Sequence, residues 1–322
     1  MRRIAVINQK GGVGKTTTVA NLGVALARMG QRVLLVDLDP QAHLSLHLGV
    51  EPSQVNLTIY QVLTELLPIE QARVALSDRL HLVPSHIDLA AAEMELASVV
   101  GRELIFRDQL AQLQGQYDIL LIDCPPSLGL LTINALAGAD EVFVPLQPHF
   151  LALQGLSKLL KTVSLVTQRL NPGLRVSGIL MCMYESNTRL AAEVVDNIRS
   201  FLDAGRGKTL PWSKAIFFRT RIRRNIKLAE SPSHGESIFE YGPKTAGAVD
   251  YNKLAREVLG LSESEAEAEP QPEPVETSVA QPQPVVPTVT ATTPAPAGSN
   301  GDTLGTGEQK SIPSPGEPVP GA

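Results

Sequence analysis

The sequence of 322 residues predicts an α/β fold: a doubly wound, mostly parallel sheet with helices on both faces. Two observations predict it. Short runs rich in Val, Ile and Leu recur along the chain, and segments with helical periodicity separate them. Such runs are typical of strands buried on both faces, and right-handed crossovers would join them into one domain. We expect this domain to span residues 1–261, followed by a separate tail at residues 262–322.

The elements alternate along the chain. The first predicted strand ends near residue 8, and a loop with three glycines and two lysines leads into a helix that includes residues 20–29. Further strands are predicted at residues 31–37, 79–84, 117–123, 141–145 and 175–183. Helices are predicted at residues 87–99, 102–113, 130–137, 153–169 and 188–202, with a helical excursion at 51–75 and a closing amphipathic helix at 246–261.

The loop after the first strand has the composition of a phosphate-binding loop. Its glycines let backbone N–H groups close around an anion, the helix start adds positive potential, and Lys15 adds a full charge. The loop sequence departs from the usual phosphate-loop pattern G-x-x-x-x-G-K-[ST], because Gln9 stands at the first glycine position and Lys10 precedes the glycine pair. A plain glycine turn would not need Lys15 and Thr16 at the helix start. The segment therefore predicts a nucleoside triphosphate site, with the Thr16 hydroxyl on Mg²⁺.

Two later strands end on carboxylates. Asp37 and Asp39 follow one of them, and Asp123 ends another. Ligands bind at the carboxyl ends of strands in open α/β sheets, so these side chains are candidate site residues. The alternative for Asp37 and Asp39 is that they cap a helix that Pro40 could start. An apolar strand that ends in Asp is the pattern by which phosphate-loop proteins hold magnesium, usually through water.

A basic segment covers residues 206–227, where eight cations occur with no acidic residue between them. One interpretation is a surface that contacts the phosphate backbone of nucleic acid without reading sequence. The alternative is an ordinary solvated face whose cations pair with Glu residues elsewhere. We expect Phe217 and Phe218 to anchor the segment to the core.

Charge and composition separate the tail from the rest of the chain. The whole chain carries a net charge of −5, but residues 262–322 carry −8 and residues 1–261 carry +3. Twelve of the 24 prolines also lie in the tail, so we expect it to be disordered. No apolar run approaches the roughly 20 residues of a membrane span, and we expect a cytoplasmic protein. Cys124 and Cys182 have no paired spacing and are expected to be buried thiols.

Several motifs together resemble a known group. The loop Lys10-Gly-Gly-Val-Gly-Lys-Thr-Thr17, the strand end Val36-Asp-Leu-Asp-Pro-Gln41 and the segment Leu121-Ile-Asp-Cys-Pro-Pro126 resemble the deviant Walker ATPases. More narrowly, Met183-Tyr-Glu-Ser-Asn-Thr188, Ile222-Arg-Arg-Asn225 and Ala248-Val-Asp-Tyr251 are similar to the chromosome and plasmid partition ATPases of the ParA/Soj type. The resemblance covers residues 2–260 and leaves out the tail.

The resemblance implies a role for each matching residue. Catalysis would involve Lys10, Lys15 and Asp39, with Lys10 reaching the nucleotide of a second subunit and Asp39 positioning the attacking water. Magnesium would be held by Thr16, Asp37 and Asp123. ATP would contact Lys10, Gly11, Gly12, Val13, Gly14, Lys15, Thr16 and Thr17, with Pro232 near the adenine. Arg224 and Arg189 match arginines for nonspecific DNA, and the basic segment adds Arg219, Arg221 and Arg223.

The function that this resemblance implies is an ATP-dependent, dimerising switch for partition. It would bind nonspecific DNA as an ATP-bound homodimer, associate with the nucleoid and hydrolyse ATP slowly until a ParB-like partner accelerates turnover. Related sequences often have Pro where Arg223 stands and Ala where Ser231 stands. No helix-turn-helix domain precedes the first strand, so operator-specific repression is not expected.

Three alternatives stay open at this point. A MinD-like regulator of the division site needs a basic amphipathic helix at the C-terminus, where this chain is acidic and proline-rich. A redox ATPase of the nitrogenase iron-protein type needs paired cysteines, and Cys124 and Cys182 fit that role poorly. A ParA-like positioner of another cargo fits the same residues, so the sequence identifies neither the cargo nor the activating partner.

Overall fold

One sheet organises the described part of the chain, residues 1–185 and 189–261 of a computed structural model. Its eight strands are β1 (Arg2–Val6), β2 (Val33–Asp37), β3 (Val74–Ser77), β4 (Leu80–Val83), β5 (Ile119–Asp123), β6 (Glu141–Leu146), β7 (Arg175–Tyr184) and β8 (Ile216–Arg223). They lie in the order β3-β4-β2-β5-β1-β6-β7-β8, and every neighbouring pair is parallel except β3 with β4. The predicted fold class is confirmed.

Helices cover both faces of this sheet. They are α1 (Lys15–Arg28), α2 (His43–His47), α3 (Ile59–Thr64), α4 (Leu89–Glu95), α5 (Ile105–Ala111), α6 (Leu130–Gly138), α7 (Ala152–Arg169), α8 (Arg189–Asp203), α9 (Ile226–Glu230), α10 (Ile238–Tyr241) and α11 (Ala246–Leu259). The tail predicted at residues 262–322 lies outside the described residues. No helix among the described residues is long and apolar enough to cross a membrane.

The central strands are apolar on both faces because each face packs against its own layer of helices. On β2, Leu34 and Val36 join the cluster shared with α3 to α8, whereas Val33 and Leu35 join the cluster shared with α1 and α11. Gly23 lets α1 approach closely, since a Cβ there would lie 2.6 Å from a methyl group of Leu35. Close packing of α1 fixes the position of the loop that precedes it.

The sequence analysis missed two strands, and both lie at the edges of the sheet. β3 has only four residues, and its side chains alternate between half-buried and exposed, so it lacks the long apolar run of the central strands. β8 interleaves arginines with Phe218 and Ile222, which conceals a strand within the basic segment. The excursion at residues 51–75 is only partly helical: it contains α3 and two 3₁₀ turns before β3 begins.

α11 satisfies backbone donors on the open edge of β8. The carboxylate of Glu257 accepts the N–H groups of Arg219 and Thr220 at 2.7 and 3.0 Å. The carboxylate of Asp250 accepts the N–H of Arg223 at 3.0 Å. Unpaired edge donors invite pairing with another chain, and these two acids block that pairing.

Candidate functional site

The phosphate-loop candidate lies between β1 and α1 at the carboxyl edge of the sheet. Gly12 and Gly14 have φ values of +70° and +93°, a left-handed conformation that side-chain-bearing residues rarely adopt. α1 begins at Lys15 without a side-chain cap and without an acidic residue in its first turn. Its first N–H groups and its positive end are therefore available to an anion. The arrangement has the shape and charge of a phosphate cradle, as predicted.

Lys15 lies inside this loop. It is 7% exposed, and its Nζ donates to the backbone carbonyl of Lys10 at 3.5 Å. That contact is long, so a stronger acceptor such as a phosphate oxygen can replace it. Val13 lies in the loop itself, and Thr16 and Thr17 lie in the first turn of α1.

Strand register brings the carboxylates to the same edge as the loop. β5 lies between β1 and β2, and Asp123 is level with Val6 on one side and with Asp37 on the other. The Thr16 hydroxyl donates to Asp123 Oδ2 at 2.7 Å. Asp123 Oδ1 is buried and has no hydrogen-bond partner among the described residues. Burial, and then the charge of Asp37, raises the pKa of Asp123 well above its usual range.

An orphaned buried carboxylate oxygen beside a threonine hydroxyl is the donor set that a hydrated Mg²⁺ fits. Among the described residues, no group of three His, Cys, Asp or Glu side chains could hold a metal ion by itself. Beside a nucleotide, phosphate oxygens and water complete the ligand shell of Mg²⁺. Thr16 and Asp123 therefore fit the expected magnesium site.

The carboxylate of Asp37 accepts three hydrogen bonds from Ser45 and Asp39. Its Oδ2 accepts the N–H and the hydroxyl of Ser45 at 2.9 and 2.8 Å, and its Oδ1 accepts the N–H of Asp39 at 3.2 Å. Burial raises the pKa of Asp37 to about 7, although the bonds from Ser45 and Asp39 oppose the rise. These contacts favour a supporting role for Asp37 beside the metal site.

Asp39 is 9% exposed, and its Oδ1 accepts the N–H of Gln41 at 3.0 Å. This bond closes a local turn rather than capping a helix. α2 begins later, at His43, and Asp39 does not cap it, whereas Asp37 accepts the N–H of Ser45 in the first turn of α2 and so caps this helix from the end of β2. Because no helix begins at Pro40, the capping alternative is wrong for Asp39, but it holds for Asp37 at α2, and the Asp39 side chain lies at the carboxyl edge beside the loop.

Lys10 lies on the other side of the loop, at a cleft of about 420 Å³ between the loop and the start of α7. Gln147, His149 and Lys158 also line this cleft, and no carboxylate does. Burial, and then the charge of Lys10, lowers the pKa of His149. Lys10 is exposed and forms no salt bridge within residues 1–185 and 189–261. Its ammonium is thus free to meet a group from another molecule.

The basic segment is partly neutralised in the structure. Four of its eight cations form ion pairs, which are Arg206–Asp203, Arg223–Asp250, Arg224–Glu185 and Lys227–Glu230. The alternative interpretation, a face with paired cations, therefore applies to these four. Arg221 lies over the ring of Tyr184 at 4.4 Å, and Arg219 projects from β8 as an exposed residue.

The pairs differ in burial, which changes the candidate list for DNA contact. Asp250 is 5% exposed, and its oxygens accept from Nε and Nη2 of Arg223 at distances down to 2.7 Å. Arg223 is therefore held by the fold through Asp250, and its contact with DNA stays a prediction. Arg224 is 76% exposed and pairs with Glu185, which is 51% exposed. Arg189 is also exposed and begins α8.

Pro232 is the second residue of a 3₁₀ turn at Ser231–His234, after α9. This turn packs near α2, since Gly235 and Gly49 are in close contact. The next element, α10, is tied to α1 because Ile238 donates its N–H to Asn21 at 2.7 Å. Pro232 thus lies on the same face of the sheet as α1, and its adenine contact stays a prediction.

Sequence reasoning missed three residues that support the site. Asn8 contacts Lys10 and β6, Ser45 holds Asp37, and Asp250 holds Arg223. The first of these had a sequence signal, since it directly precedes the glycine loop. The other two act on partners that are distant in sequence. Cys124 and Cys182 are buried free thiols, as predicted.

A parallel sheet with a glycine loop at the start of α1, and Asp123 on the adjacent strand, defines the chain as a P-loop nucleotide-binding protein. A family model described as an AAA domain matches residues 1–176. The sporulation initiation inhibitor protein Soj of Bacillus subtilis is 43% identical over 256 residues, which are 79% of this chain and 97% of that protein.

Two further comparisons agree with this class. The chromosome partitioning protein ParA of Myxococcus xanthus is 43% identical over 259 residues, which cover 80% of this chain and 88% of that protein. A crystal structure of cobyrinic acid a,c-diamide synthase from Mycobacterium smegmatis, with bound ATP analog and magnesium, superposes with a TM-score of 0.67. It is 37% identical and covers 83% of this chain and 96% of that one. The chain belongs to the Soj/ParA family of chromosome-partitioning ATPases.

Proposed function

We propose that this protein is an ATP-dependent dimerising switch that acts in the partition of a chromosome or plasmid. The observation that carries the proposal is the pairing of a phosphate cradle around Lys15 with an exposed Lys10 that has no salt bridge in the described part of the chain. A site for one nucleotide requires the first lysine. The second lysine is required only if another molecule brings a group to it.

Within one subunit, the loop amides and Lys15 would bind the phosphates of ATP. Thr16 and Asp123 would hold magnesium, partly through water, and Asp37 would support them while Ser45 fixes its carboxylate. When bound, Mg²⁺ would neutralise phosphate charge and stabilise the leaving group. The ATP analog and magnesium in the Mycobacterium smegmatis structure support ATP and Mg²⁺ as the ligands.

Between subunits, each Lys10 would reach the nucleotide of its partner and complete that site, so that ATP joins the two copies. Asp39 would orient the attacking water, and hydrolysis to ADP and phosphate would separate them. A switch needs a long-lived bound state, so we expect slow intrinsic hydrolysis. A ParB-like protein would accelerate it.

The dimer would bind DNA through arginines of the basic segment without reading sequence. We propose Arg219, Arg221 and Arg224 for this contact, together with Arg189 at the start of α8. Tyr184 and Glu185, at the end of β7, place Arg221 and Arg224 on one edge of the sheet. Binding of this kind would associate the protein with the nucleoid.

The experiment that tests the proposal is sedimentation with ATP, with ADP and without nucleotide, each with and without nonspecific duplex DNA. We expect a dimer only with ATP, and DNA binding only by that dimer. A monomer in all three nucleotide states would contradict the switch. Dimerisation without DNA binding would support the ATP-driven dimer but contradict the proposed DNA contact of the arginines.

A further inference from the structure

We infer that Asn8 is a positioning residue for Lys10, and this inference rests on the proposed function of Lys10. Asn8 is the last residue before the glycine loop and is 6% exposed. Its Oδ1 accepts the N–H of Lys10 at 2.9 Å, and its Nδ2 donates to the carbonyl of Pro145 at 2.7 Å. One buried side chain therefore ties the backbone of Lys10 to the end of β6.

The need for such a tie follows from the surroundings of Lys10. Gly11 and Gly12 follow it directly, and neither has an atom within 4 Å of where a Cβ would stand. The loop therefore lacks side-chain packing at this point. Lys10 itself is exposed and borders the open cleft beside α7. A lysine that must place its ammonium on another subunit would lose affinity if its backbone were free to move.

The two backbone groups of Lys10 have different partners. Its carbonyl accepts Lys15 Nζ at 3.5 Å, and this contact would weaken when Lys15 turns to a phosphate. Its N–H is held by Asn8, whose second bond runs to β6 and involves no part of the nucleotide cradle. Asn8 is thus the anchor of Lys10 that persists when nucleotide binds.

The phosphate cradle does not depend on this anchor. Gly12, Gly14, Lys15 and Thr16 are positioned by the loop conformation and by α1. The structure therefore separates two effects of a change at residue 8. Binding of ATP to one subunit should persist, whereas steps that need Lys10 on the partner should weaken.

The test compares Asn8→Ala, Lys10→Ala and the double variant in the full chain. Affinity of Asn8→Ala for a fluorescent ATP analogue, measured at a protein concentration too low for dimers, should stay within about twofold of wild type. Dimerisation, measured by sedimentation with a nonhydrolysable ATP analogue, should weaken about five- to tenfold for Asn8→Ala, as expected if the loss of the bond to the Lys10 N–H acts on the dimer and the loss of the bond to Pro145 acts on the fold. The double variant should dimerise no worse than Lys10→Ala alone, because Asn8 acts through Lys10.

Asn134→Ala is the matched control. Asn134 is a fully buried asparagine of α6 that also accepts one backbone N–H, from Phe106, and donates to the carbonyls of Arg102 and Leu130. It should lose stability but dimerise normally at a temperature where it is folded. Asn8→Ser, which keeps a polar group but cannot span both partners, replaces Asn8→Ala if that variant does not fold.

Normal dimerisation of Asn8→Ala or Asn8→Ser would overturn the inference, and so would additive losses in the double variant. Normal dimerisation of Lys10→Ala would overturn both this inference and the proposed role of Lys10. If Lys10→Ala dimerises poorly but Asn8→Ala dimerises normally, the positioning role of Asn8 is overturned and the proposed role of Lys10 stands. The two failures are therefore distinguishable.

Discussion

The ion pair of Arg223 with Asp250 is expected to stabilise the fold, whereas that of its neighbour Arg224 with Glu185 is not. Asp250 is 5% exposed and accepts both the backbone N–H and the guanidinium of Arg223. The side chains of Arg224 and Glu185 are 76% and 51% exposed. Removing one partner of a fully buried pair costs about 3–5 kcal/mol. Exposed pairs contribute about 0–1 kcal/mol.

Arg223→Ala should lower the free energy of unfolding by about 2 kcal/mol, because Asp250 would stay buried without its guanidinium. We expect less than the loss for a fully buried pair because the Arg223 side chain is 53% exposed and solvent already screens it. For a domain of this size the melting temperature should fall by about 4–8 °C. Arg224→Ala should change the free energy of unfolding by less than about 0.5 kcal/mol.

Urea unfolding measures the difference in unfolding free energy between Arg223→Ala and Arg224→Ala. A DNA-binding assay then measures how the two variants differ in their contact with DNA. With ATP present, fluorescence anisotropy on a labelled nonspecific duplex should show weaker binding by Arg224→Ala. Its slope of log affinity against log salt should be smaller by about 1. Arg223→Ala should keep the wild-type slope at a temperature where it is folded. The reasoning is refuted if Arg223→Ala unfolds like wild type and loses salt dependence.

Three further predictions concern the nucleotide site and α2. Lys15→Ala should abolish ATP binding in a fluorescent nucleotide titration, and retained affinity would contradict the phosphate-loop assignment. Asp39→Ala should bind ATP but release phosphate slowly, so that the dimer accumulates on DNA; wild-type phosphate release would remove Asp39 from its role. Burial lowers the pKa of His47 to about 4, and its Nε2 has no partner among the described residues. Since the unfolded chain gains this proton near pH 6.5, stability should fall by up to about 3 kcal/mol between pH 6.5 and 4. His47→Leu should remove that component in urea unfolding, and parallel pH curves for variant and wild type would contradict it.

Features encoded by neighbouring residues were predicted from the sequence. The glycine loop, Lys15 and Thr16 form one continuous motif, and Asp123 ends a run that is apolar on both faces. The central strands were found for the same reason, because burial on both sides leaves a continuous apolar signal. β3 and β8 lack that signal since each is an edge strand with one open side.

Contacts between distant residues were not predicted. Asn8 and Pro145 are 137 positions apart, and Arg223 and Asp250 are 27 apart. No local pattern gives the position at which α11 crosses β8. Sequence alone therefore could not show that Arg223 pairs with a buried carboxylate whereas Arg224 pairs with an exposed one. Ser45 was missed because its bond to Asp37 depends on where the chain turns back after β2.

The position of α11 changes how variants of the basic segment should be interpreted. Tyr251 is buried on this helix, and its hydroxyl lies 3.3 Å from the Thr18 hydroxyl on α1, three residues after Lys15. The adjacent Asp250 holds Arg223 at the end of β8. Because α11 packs against both α1 and β8, loss of Arg223 can disturb ATP binding as well as DNA binding. A DNA-binding defect in a variant of this segment is therefore evidence of direct contact only if its ATP affinity and unfolding free energy are unchanged. Arg224→Ala should meet this condition, and Arg223→Ala should not.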